Sequence, residues 1–207
     1  MGIYQKYIMP KVLDFLCSTK PIQYQRKKVV HQAYGNILEI GIGTGNNIPF
    51  YDKSKVSKII GLDPSENLSK IAKIKSQKYN LKIEHLKNYA EDLDLKDETI
   101  DSVLITYTLC SIENEEKSLS EIKRVLKPDG ILIFCEHGLA PDYKISKWQN
   151  LLTPISKKLA GGCCLNKNIY NLIQNNGFKF ENINKMYIPS TLSLYAYQYW
   201  GIAKKNI

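Results

Sequence analysis

The residues best suited to chemistry are three glycines on alternate positions, which follow a short apolar run that contains an acid. The run at 37–40 includes Glu39, and Gly41, Gly43 and Gly45 come directly after it. Glycine allows a sharp turn with no Cβ in the way, so a ligand can lie against bare main chain. The third glycine comes too early for the dinucleotide fingerprint G-x-G-x-x-G, and no lysine with Ser or Thr follows as in a P-loop. The pattern predicts a ligand-binding turn between a buried strand and the next helix.

A second acid, Asp63, ends the apolar run at 58–62, about twenty residues beyond the glycines. In open α/β sheets an acid at this offset hydrogen-bonds the hydroxyl groups of a ribose. A carboxylate suits this role because it accepts two hydrogen bonds from a diol at once. The alternative is that Asp63 only caps the helix that begins after Pro64. The offset from the glycines favours the ribose.

One histidine has a position from which it can act on a substrate. His137 comes just past a predicted strand at 131–135 and is the only one of the three histidines so placed. A neutral imidazole at the rim of a site can take a proton from a thiol or favour the thiolate. We therefore predict that His137 acts as a base or orients the substrate. The alternative is a structural hydrogen bond within a loop.

The five cysteines are odd in number and do not follow the spacing of a disulfide framework. This usage is typical of reduced thiols in the cytoplasm. No C-x-x-C is present, so the sequence predicts no zinc or other metal site. A free cysteine commonly serves as a small buried apolar residue. The cysteines are Cys17, Cys110, Cys135, Cys163 and Cys164.

Alternating apolar runs and helical stripes are expected to position these residues. Five alternations of strand and helix favour a parallel sheet that is covered on both faces. Ligands bind such sheets at the carboxyl ends of the strands, so Thr106, Tyr107 and Cys110, which follow a predicted strand at 100–106, should border the reacting group. The predicted strands are 37–40, 58–62, 81–86, 100–106, 131–135, about 178–187 and about 194–203.

The pattern of apolar residues predicts two helices within the first 34 residues, at 3–16 and roughly 22–33. Gly35 ends the helical pattern, and the first strand follows it. These helices either form a cap over the site or pack on the sheet. Tyr4 and Tyr7 are the residues that we expect to reach the site from such a cap. The basic cluster at 26–28 is the only compact one in the chain, and we interpret it as part of a solvated surface.

The glycine turn resembles motif I of the class I S-adenosylmethionine-dependent methyltransferases, an acid followed by G-x-G-x-G. The segment K-P-D-G at 127–130 resembles the R-V-L-K-P-G-G segment of the same family. Four further segments, T-L-C-S-I, E-H-G-L-A-P, W-Q and G-G-C-x-L-N-K, are similar to a bacterial branch akin to the animal microsomal thiol methyltransferase-like proteins. Those animal proteins share L-C-S-V, E-H and G-C-x-L-T-R segments. This sequence departs from those proteins in two ways. We do not find the N-terminal membrane anchor of the animal proteins, and Cys164 stands where the branch often has histidine.

The resemblance implies an α/β, Rossmann-like methyltransferase fold. It would have a seven-stranded, mostly parallel sheet with an antiparallel last strand, helices on both faces and an N-terminal helical cap. The chain would form one methyltransferase domain at 1–207. Within it, 1–34 would be the cap, 35–136 the cofactor-binding core, and 137–207 the acceptor-side loops, helices and last two strands.

The resemblance also implies a cofactor, S-adenosylmethionine, with S-adenosylhomocysteine as its product. Glu39 would lie near the amino group of the methionine portion, the glycines would accommodate the methionine and ribose, and the segment around Ala90 would hold the adenine. The implied cofactor-binding residues are Glu39, Gly41, Gly43, Thr44, Gly45, Asn46, Asp63, Pro64, Ala90, Glu91, Thr106 and Tyr107.

The predicted activity is methyl transfer to a small molecule, for which a thiol is the best acceptor. A thiolate is a strong nucleophile, and a free thiol with a pKa near ~8.5 needs only modest help. The acceptor-side candidates are Tyr4, Tyr7, Cys110, Cys163 and Cys164. The alternatives are N-, O- or C-methylation of a lipid amine, a quinone or another small aromatic; methylation of arsenite held by three cysteines; and cofactor binding without catalysis.

The composition bounds the possible partners. With 207 residues, 43% of them hydrophobic, the chain suits one domain with a sizeable core. The net charge of +9 favours anionic surfaces, but the lysines are scattered, so we expect weak peripheral contact with an anionic membrane and no specific nucleic-acid partner. No apolar run reaches the ~18 residues of a membrane span, and the N-terminus lacks a leader pattern. We expect a cytoplasmic protein with no obligate protein partner.

Overall fold

A computed structural model describes Asp14 and residues 17–206 of the chain. Tyr4 and Tyr7, and nearly all of the helix predicted at 3–16, lie outside the described residues. Among the residues that are described, no helix has the length and apolar character needed to cross a bilayer.

One seven-stranded sheet forms the centre of the molecule, with the strand order β3-β2-β1-β4-β5-β7-β6. β7 is antiparallel to both of its neighbours, and the other paired strands are parallel. The predicted fold is therefore confirmed. The strands are β1 (Gly35–Ile40), β2 (Val56–Leu62), β3 (Ile83–Leu86), β4 (Ile100–Thr106), β5 (Leu126–His137), β6 (Phe178–Tyr187) and β7 (Tyr197–Lys205).

The central strands are apolar on both faces because helices cover both sides of the sheet. Successive side chains of a strand point to opposite faces. Leu38 accordingly packs in one core cluster, while its neighbour Ile37 packs in a second cluster on the other face. The sheet-forming parts of β1, β4 and β5 are almost fully buried, which is why their sequences are continuous apolar runs.

Between residues 17 and 206, six α-helices surround the sheet. The third of them illustrates how local sequence sets the boundaries, because the Asn114 side chain accepts a hydrogen bond from the Lys117 N–H and so caps the helix start. Its predicted inner stripe, which includes Leu119 and Ile122, is buried. The helices are α1 (Lys20–Val30), α2 (Glu66–Lys78), α3 (Glu115–Val125), α4 (Tyr143–Leu159), α5 (Ile169–Asn175) and α6 (Ser193–Ala196).

The predicted regular alternation of strand and helix is wrong in two places. No α-helix follows the glycine turn, where a 3-10 helix (Ile48–Phe50) is found instead, and none lies between β3 and β4. Pro49 lacks a backbone N–H, and the residues after it have no apolar stripe that a helix could bury. The sheet order survives because strand pairing depends on the buried strands themselves.

Three smaller expectations also need correction. The K-P-D-G sequence at 127–130 predicts a turn after the preceding helix. β5 instead begins at Leu126, so these residues lie within the strand, at a shift in its register with β4. β7 begins at Tyr197, because α6 occupies the residues just before it. The sequence after Pro64 also predicts a helix with Ser65 as its cap and with Ile71 and Ala72 on its inner face. On α2, Ala72 is buried but Ile71 is exposed, and the side chain of Ser65 makes no capping hydrogen bond.

Candidate active site

The glycine turn has the backbone conformation that only glycine adopts without strain. Gly41, Gly43 and Gly45 have φ angles of 70°, 53° and 75°. A Cβ at Gly41 would lie 2.3 Å from the Thr108 hydroxyl oxygen, so the turn and the segment after β4 approach each other at this residue. The turn therefore presents a bare main-chain surface at the carboxyl ends of β1 and β4.

This contact predicts different costs for two similar substitutions. Gly41→Ala should lower the free energy of unfolding by about 2–4 kcal/mol, since it combines a positive φ with steric overlap. Gly43→Ala is the matched control, because its Cβ would have no neighbour closer than 3.9 Å; it should lose only about 1–2 kcal/mol. Urea unfolding measures both values. Equal losses would show that the overlap at Gly41 is relieved without cost.

Asp63 links the end of β2 to the glycine turn. Its carboxylate accepts the Gly43 N–H at 3.0 Å and the Ser65 N–H at 2.8 Å. Burial raises the pKa of Asp63, while these two backbone hydrogen bonds oppose that rise. The contact with Ser65 agrees with the capping alternative, yet each oxygen keeps a second lone pair for another donor. The ribose role of Asp63 stays a prediction.

Glu39 is enclosed by two residues that the sequence analysis did not single out. Asn47 donates to one carboxylate oxygen at 2.8 Å and the Tyr51 hydroxyl donates to the other at 2.6 Å. Burial raises the pKa of Glu39 to about 7, although both hydrogen bonds lower it. The side chain is only 1% exposed. Glu39 therefore fixes the base of the glycine turn, and its predicted contact with the cofactor's amino group stays a prediction.

The raised pKa of Glu39 predicts a pH-dependent stability. The ordinary pKa of 4.5 rises to about 7 in the folded chain, so the fold binds the extra proton between these values. Stability should therefore fall as pH rises from about 4.5 to 7, by at most ~3 kcal/mol from this group. Glu39→Gln should remove that part of the dependence in urea unfolding. Glu113→Gln, on an exposed acid, is the control and should leave the profile unchanged.

Arg26 on α1 is buried in the site, although its basic cluster was predicted to be part of a solvated surface. Its side chain is 5% exposed and donates to the Asn47 amide oxygen at 2.9 Å and the Thr106 hydroxyl at 2.6 Å. The guanidinium carbon lies 4.8 Å from the centre of the Tyr107 ring. Within the described part of the chain, no carboxylate lies at ion-pair distance from it. Only Lys27, beside it in sequence, has the predicted exposure.

The N-terminal segment also reaches the glycine turn. Asp14 accepts hydrogen bonds from the Thr44 hydroxyl and, at 3.0 Å, from the Asn46 amide. The Asn46 amide oxygen in turn accepts from Lys75 on α2 at 3.2 Å. These contacts bring one residue of the predicted cap onto the turn, while the division of the chain into cap, core and acceptor side stays a prediction.

The segment predicted to hold adenine lies after β3. Ala90 is buried, and the Glu91 carboxylate accepts the Asn114 N–H at 3.3 Å, at the start of α3. Pro64, beside Asp63, is exposed. These observations do not test the expected adenine contacts of Ala90 and Glu91, which stay predictions.

A buried acid that the sequence analysis passed over shapes the segment after β4. One oxygen of Glu136 accepts the N–H groups of Thr108 and Leu109 at 2.7 and 2.9 Å. Burial raises the pKa of Glu136, and these hydrogen bonds oppose the rise. Tyr107 has a φ of 52°, and its hydroxyl donates to Gln198 on β7 at 2.6 Å. The chain thus turns sharply after β4.

Three residues from separate elements form what we call the Cys–His–Cys cluster. Cys110 follows β4, His137 ends β5 and Cys163 follows α4, and their ligand atoms lie within 4.8 Å of one another. The two sulfur atoms are 3.7 Å apart, and His137 Nε2 is 3.1 Å from Cys163 Sγ. All three side chains are buried. The structure therefore brings Cys110, His137 and Cys163 together, with Nε2 of His137 facing a thiol of the chain itself, and their acceptor-side roles stay predictions.

The cluster changes the proton affinities of its members. Burial lowers the pKa of His137, but the contact with Cys163 outweighs it and raises that pKa above its ordinary value. The pKa of Cys163 is lowered, chiefly by its contact with Cys110. The contacts within the cluster thus act on the pKa of the histidine and of the cysteine in opposite directions.

Cys164 corrects one expectation. The arsenite alternative needs Cys110, Cys163 and Cys164 to converge, but the third member of the observed group is His137. Cys164 Sγ instead lies 3.6 Å from the Gly162 carbonyl oxygen. Adjacent side chains in a non-helical segment leave the backbone on different sides, so two neighbouring cysteines seldom serve the same centre.

Several buried polar atoms around this end of the sheet have no hydrogen-bond partner among the described residues. Arg26 Nε lies on α1, and Glu136 Oε2 and His137 Nδ1 lie at the end of β5. Buried polar groups are normally paired, so these atoms fit a bound group that carries donors and acceptors. Together with the bare glycine turn, Arg26 Nε fits a cofactor with an amino-acid portion and a nucleoside portion. Gln25 Oε1 and Gln198 Nε2 are also buried without a hydrogen-bond partner among the described residues.

Comparison with known proteins places this arrangement in a family. Residues 38–134 match the model of a methyltransferase domain. The chain is 34% identical to human thiol S-methyltransferase TMT1B over 185 residues, which are 84% of this chain and 75% of that protein. It is 35% identical to the rat protein of the same name over 142 residues, 67% of this chain, and it spans only 57% of that relative's length.

A solved structure of an S-adenosylmethionine-dependent methyltransferase from Thermotoga maritima shares the fold. Its TM-score is 0.68 and its identity 23%, with 99% of this chain and 98% of that chain covered. A similar enzyme from Aquifex aeolicus gives a TM-score of 0.60 at 20% identity, covering 94% and 97%. The predicted family and cofactor are confirmed. The chain belongs to the class I methyltransferases, enzymes that use S-adenosylmethionine as their methyl donor.

Proposed function

We propose that the protein transfers a methyl group from S-adenosylmethionine to a small thiol. The observation that carries this proposal is the Cys–His–Cys cluster, which places two sulfur atoms and an imidazole in the interior beyond β4 and β5. Its members come from the T-L-C-S-I, E-H-G-L-A-P and G-G-C-x-L-N-K segments, the ones similar to thiol methyltransferase-like proteins. The names of the human and rat relatives support the same acceptor class.

We assign the carboxylate of the cofactor's methionine portion to Arg26. A buried cation is costly unless an anion or several hydrogen bonds compensate it. Arg26 has only neutral partners, Asn47 and Thr106, among the described residues, and its Nε is unpaired. A carboxylate is the anion that matches a guanidinium fork. Glu39, beneath the same turn, would then lie close to the amino group, as the sequence predicted.

The remaining work of the chain is positioning. The bound cofactor supplies an electrophilic methyl group, so the protein must chiefly align a nucleophile with it and keep water out. The glycine turn and Asp63 hold the nucleoside side in this proposal. Leu109 and Cys110 beyond β4, and Ala140 beyond β5, are buried, so an acceptor that reaches them leaves water behind.

The test is direct. The purified protein is incubated with S-adenosylmethionine carrying a labelled methyl group and with a panel of thiols, phenols, amines and lipids. We expect a mass gain of one methyl on thiols and formation of S-adenosylhomocysteine. Transfer only to phenols, amines or lipids would assign the acceptor to another class, and cofactor binding without any transfer would overturn the proposed activity.

We further propose that α4 gives the protein peripheral contact with anionic membranes. The helix contains no acid and exposes Trp148, Leu151, Ile155 and Leu159, each by more than half of its surface. These apolar side chains recur at helical spacing on one side of α4. Apolar and basic residues on the exposed side of one helix are typical of a segment that lies in the membrane interface. The basic residues of the helix are Lys144, Lys147, Lys157 and Lys158.

Vesicle sedimentation checks this contact. The protein should bind vesicles that contain phosphatidylserine, and pure phosphatidylcholine vesicles should bind it far less. The double substitution Trp148→Ser and Leu151→Ser should lower binding by about ten-fold or more, because two exposed apolar side chains that would enter the membrane interface are lost. Tyr24→Ser, on an equally exposed aromatic residue of α1, is the control. Equal loss in both variants, or no binding to anionic vesicles, would contradict the proposal.

Two further points belong to the same proposal. All five cysteines are free thiols, which supports the cytoplasmic location that the sequence predicted. We also propose that the chain acts as one domain with the cap, core and acceptor-side divisions at 1–34, 35–136 and 137–207. The contact of Asp14 with the glycine turn supports the cap.

A further inference from the structure

We propose that the Cys–His–Cys cluster is a metal site that binds one Zn²⁺ ion, with a fourth position open to the acceptor thiol. This inference rests on the proposed function for the identity of that fourth ligand, but not for the three protein ligands. It also replaces two predictions made from the sequence, the absence of a zinc site and the role of His137 as a base.

Two of the three distances within the cluster are close to those of a tetrahedral site. Zinc binds sulfur at about 2.3 Å and nitrogen at about 2.0–2.1 Å, so two sulfur ligands should lie about 3.8 Å apart and sulfur and nitrogen about 3.5 Å apart. The observed separations are 3.7 Å between Cys110 and Cys163 and 3.1 Å between Cys163 and His137. The third pair, Cys110 and His137, has its ligand atoms within 4.8 Å of each other, so a side-chain movement of about an ångström would complete the geometry.

The ligands are held by contacts of their own backbones. The Cys164 N–H donates to the Cys110 carbonyl at 2.9 Å, which ties the two cysteine-bearing segments together. Lys167 donates to the carbonyl oxygens of Leu109 and Ile112 at 3.0 and 2.7 Å. At Gly162, a Cβ would come within 3.2 Å of the Ser111 carbonyl oxygen. These contacts hold the segments around both cysteines in place without a bound ion.

The ligand types select the ion. Two sulfur atoms and an imidazole favour a soft or borderline metal over Mg²⁺ or Ca²⁺, which prefer oxygen. Two thiolates and a neutral histidine offset the charge of a divalent ion, so the ion and its three protein ligands together are neutral, which suits a buried site. Three protein ligands with an open position are the arrangement of catalytic rather than structural zinc.

An open position gives the ion a role in the proposed reaction. A thiol that coordinates zinc loses its proton, which passes to solvent. The sulfur then forms its bond to the methyl carbon while the bond from that carbon to the cofactor sulfur breaks. Nothing is oxidised or reduced. His137 holds the ion and takes no proton.

The test measures metal binding without cofactor or acceptor. The reduced full-length chain is stripped of metal with a chelator and titrated with Zn²⁺ and with Cd²⁺, whose bonds to thiolate absorb in the ultraviolet. We expect one equivalent per chain. Cys110→Ser and Cys163→Ser should each weaken binding by at least about 100-fold. Cys164→Ser is the matched control, because that thiol lies on the Gly162 carbonyl, and it should bind like the wild type.

A second measurement needs no variant and so does not depend on folding of the mutants. Mass-mapped alkylation of the wild-type chain should show that Zn²⁺ protects Cys110 and Cys163 but not Cys164. Absence of stoichiometric binding, or equal protection of all three thiols, would overturn the site. Full-rate thiol methylation by the metal-free protein would overturn the role of the ion and leave the proposed function standing. A bound ion without thiol methylation would confirm the site and overturn the function.

Discussion

Arg26→Met should weaken the binding of S-adenosylhomocysteine by roughly 100-fold, a loss of about 3 kcal/mol, because it removes the buried partner of a carboxylate. The guanidinium is enclosed by Asn47, Thr106 and Tyr107, so no other described cation is placed to replace it. Isothermal titration calorimetry measures the dissociation constant directly. Arg26→Lys should recover only part of the affinity, since an ammonium lacks the planar fork that matches a carboxylate.

A second ligand separates recognition from structural damage. Methylthioadenosine has the same nucleoside and thioether but no amino-acid portion, so its affinity should change less than three-fold in Arg26→Met. Lys28→Met is the matched protein control, since this cation lies on the same helix but stacks on Tyr24 and Trp200 instead. If both ligands lose affinity equally, Arg26 only holds the turn in shape and the assignment is wrong.

His137→Ala should lower turnover with a thiol acceptor by ten-fold or more and leave the affinity for the cofactor unchanged. The expected loss follows from the position of the imidazole, 3.1 Å from Cys163 at the end of β5, on the acceptor side of the proposed site. Steady-state kinetics gives kcat, and calorimetry gives cofactor affinity on the same sample. His31→Ala is the control, because this histidine is exposed on the surface.

The choice of substitution distinguishes a metal ligand from a base. His137→Cys keeps a group that binds zinc but removes the imidazole. Turnover within a few-fold of the wild type in this variant, together with one bound Zn²⁺, would support the ligand role. Loss of turnover in His137→Cys with the ion still bound would favour the base that the sequence predicted. Unchanged turnover in His137→Ala would remove this residue from the mechanism altogether.

The sheet and the glycine turn were predictable because their causes are local. Apolar runs such as 100–106 are strands in the structure because both faces are buried, and Gly41 and Gly45 have the positive φ angles that their residue type permits. The 3-10 helix after the turn was not predictable from the same rules. It replaces an expected α-helix where Pro49 and the lack of an apolar stripe leave a longer helix unsupported.

The polar residues of the site were much harder to foresee, because their roles depend on distant partners. Glu136 serves a segment 27 or 28 positions earlier in the chain, and Arg26 meets Thr106 across 80 positions. The helical period on α1 offered one usable indication, since Arg26 shares a face with Ile22 and Val29, both of which are buried. The helical spacing of these three residues therefore indicates that Arg26 is buried.

The place of β7 in the sheet bears on how the chain avoids aggregation. β7 lies between β5 and β6 and pairs with both, so it covers a side of β5 that would otherwise be a free edge. The segment of β5 from Ile131 to His137 is buried on both faces, and an unpaired apolar strand is a template for intermolecular pairing. β7 therefore covers this edge, and a chain in which β7 has not yet paired would expose an aggregation-prone strand.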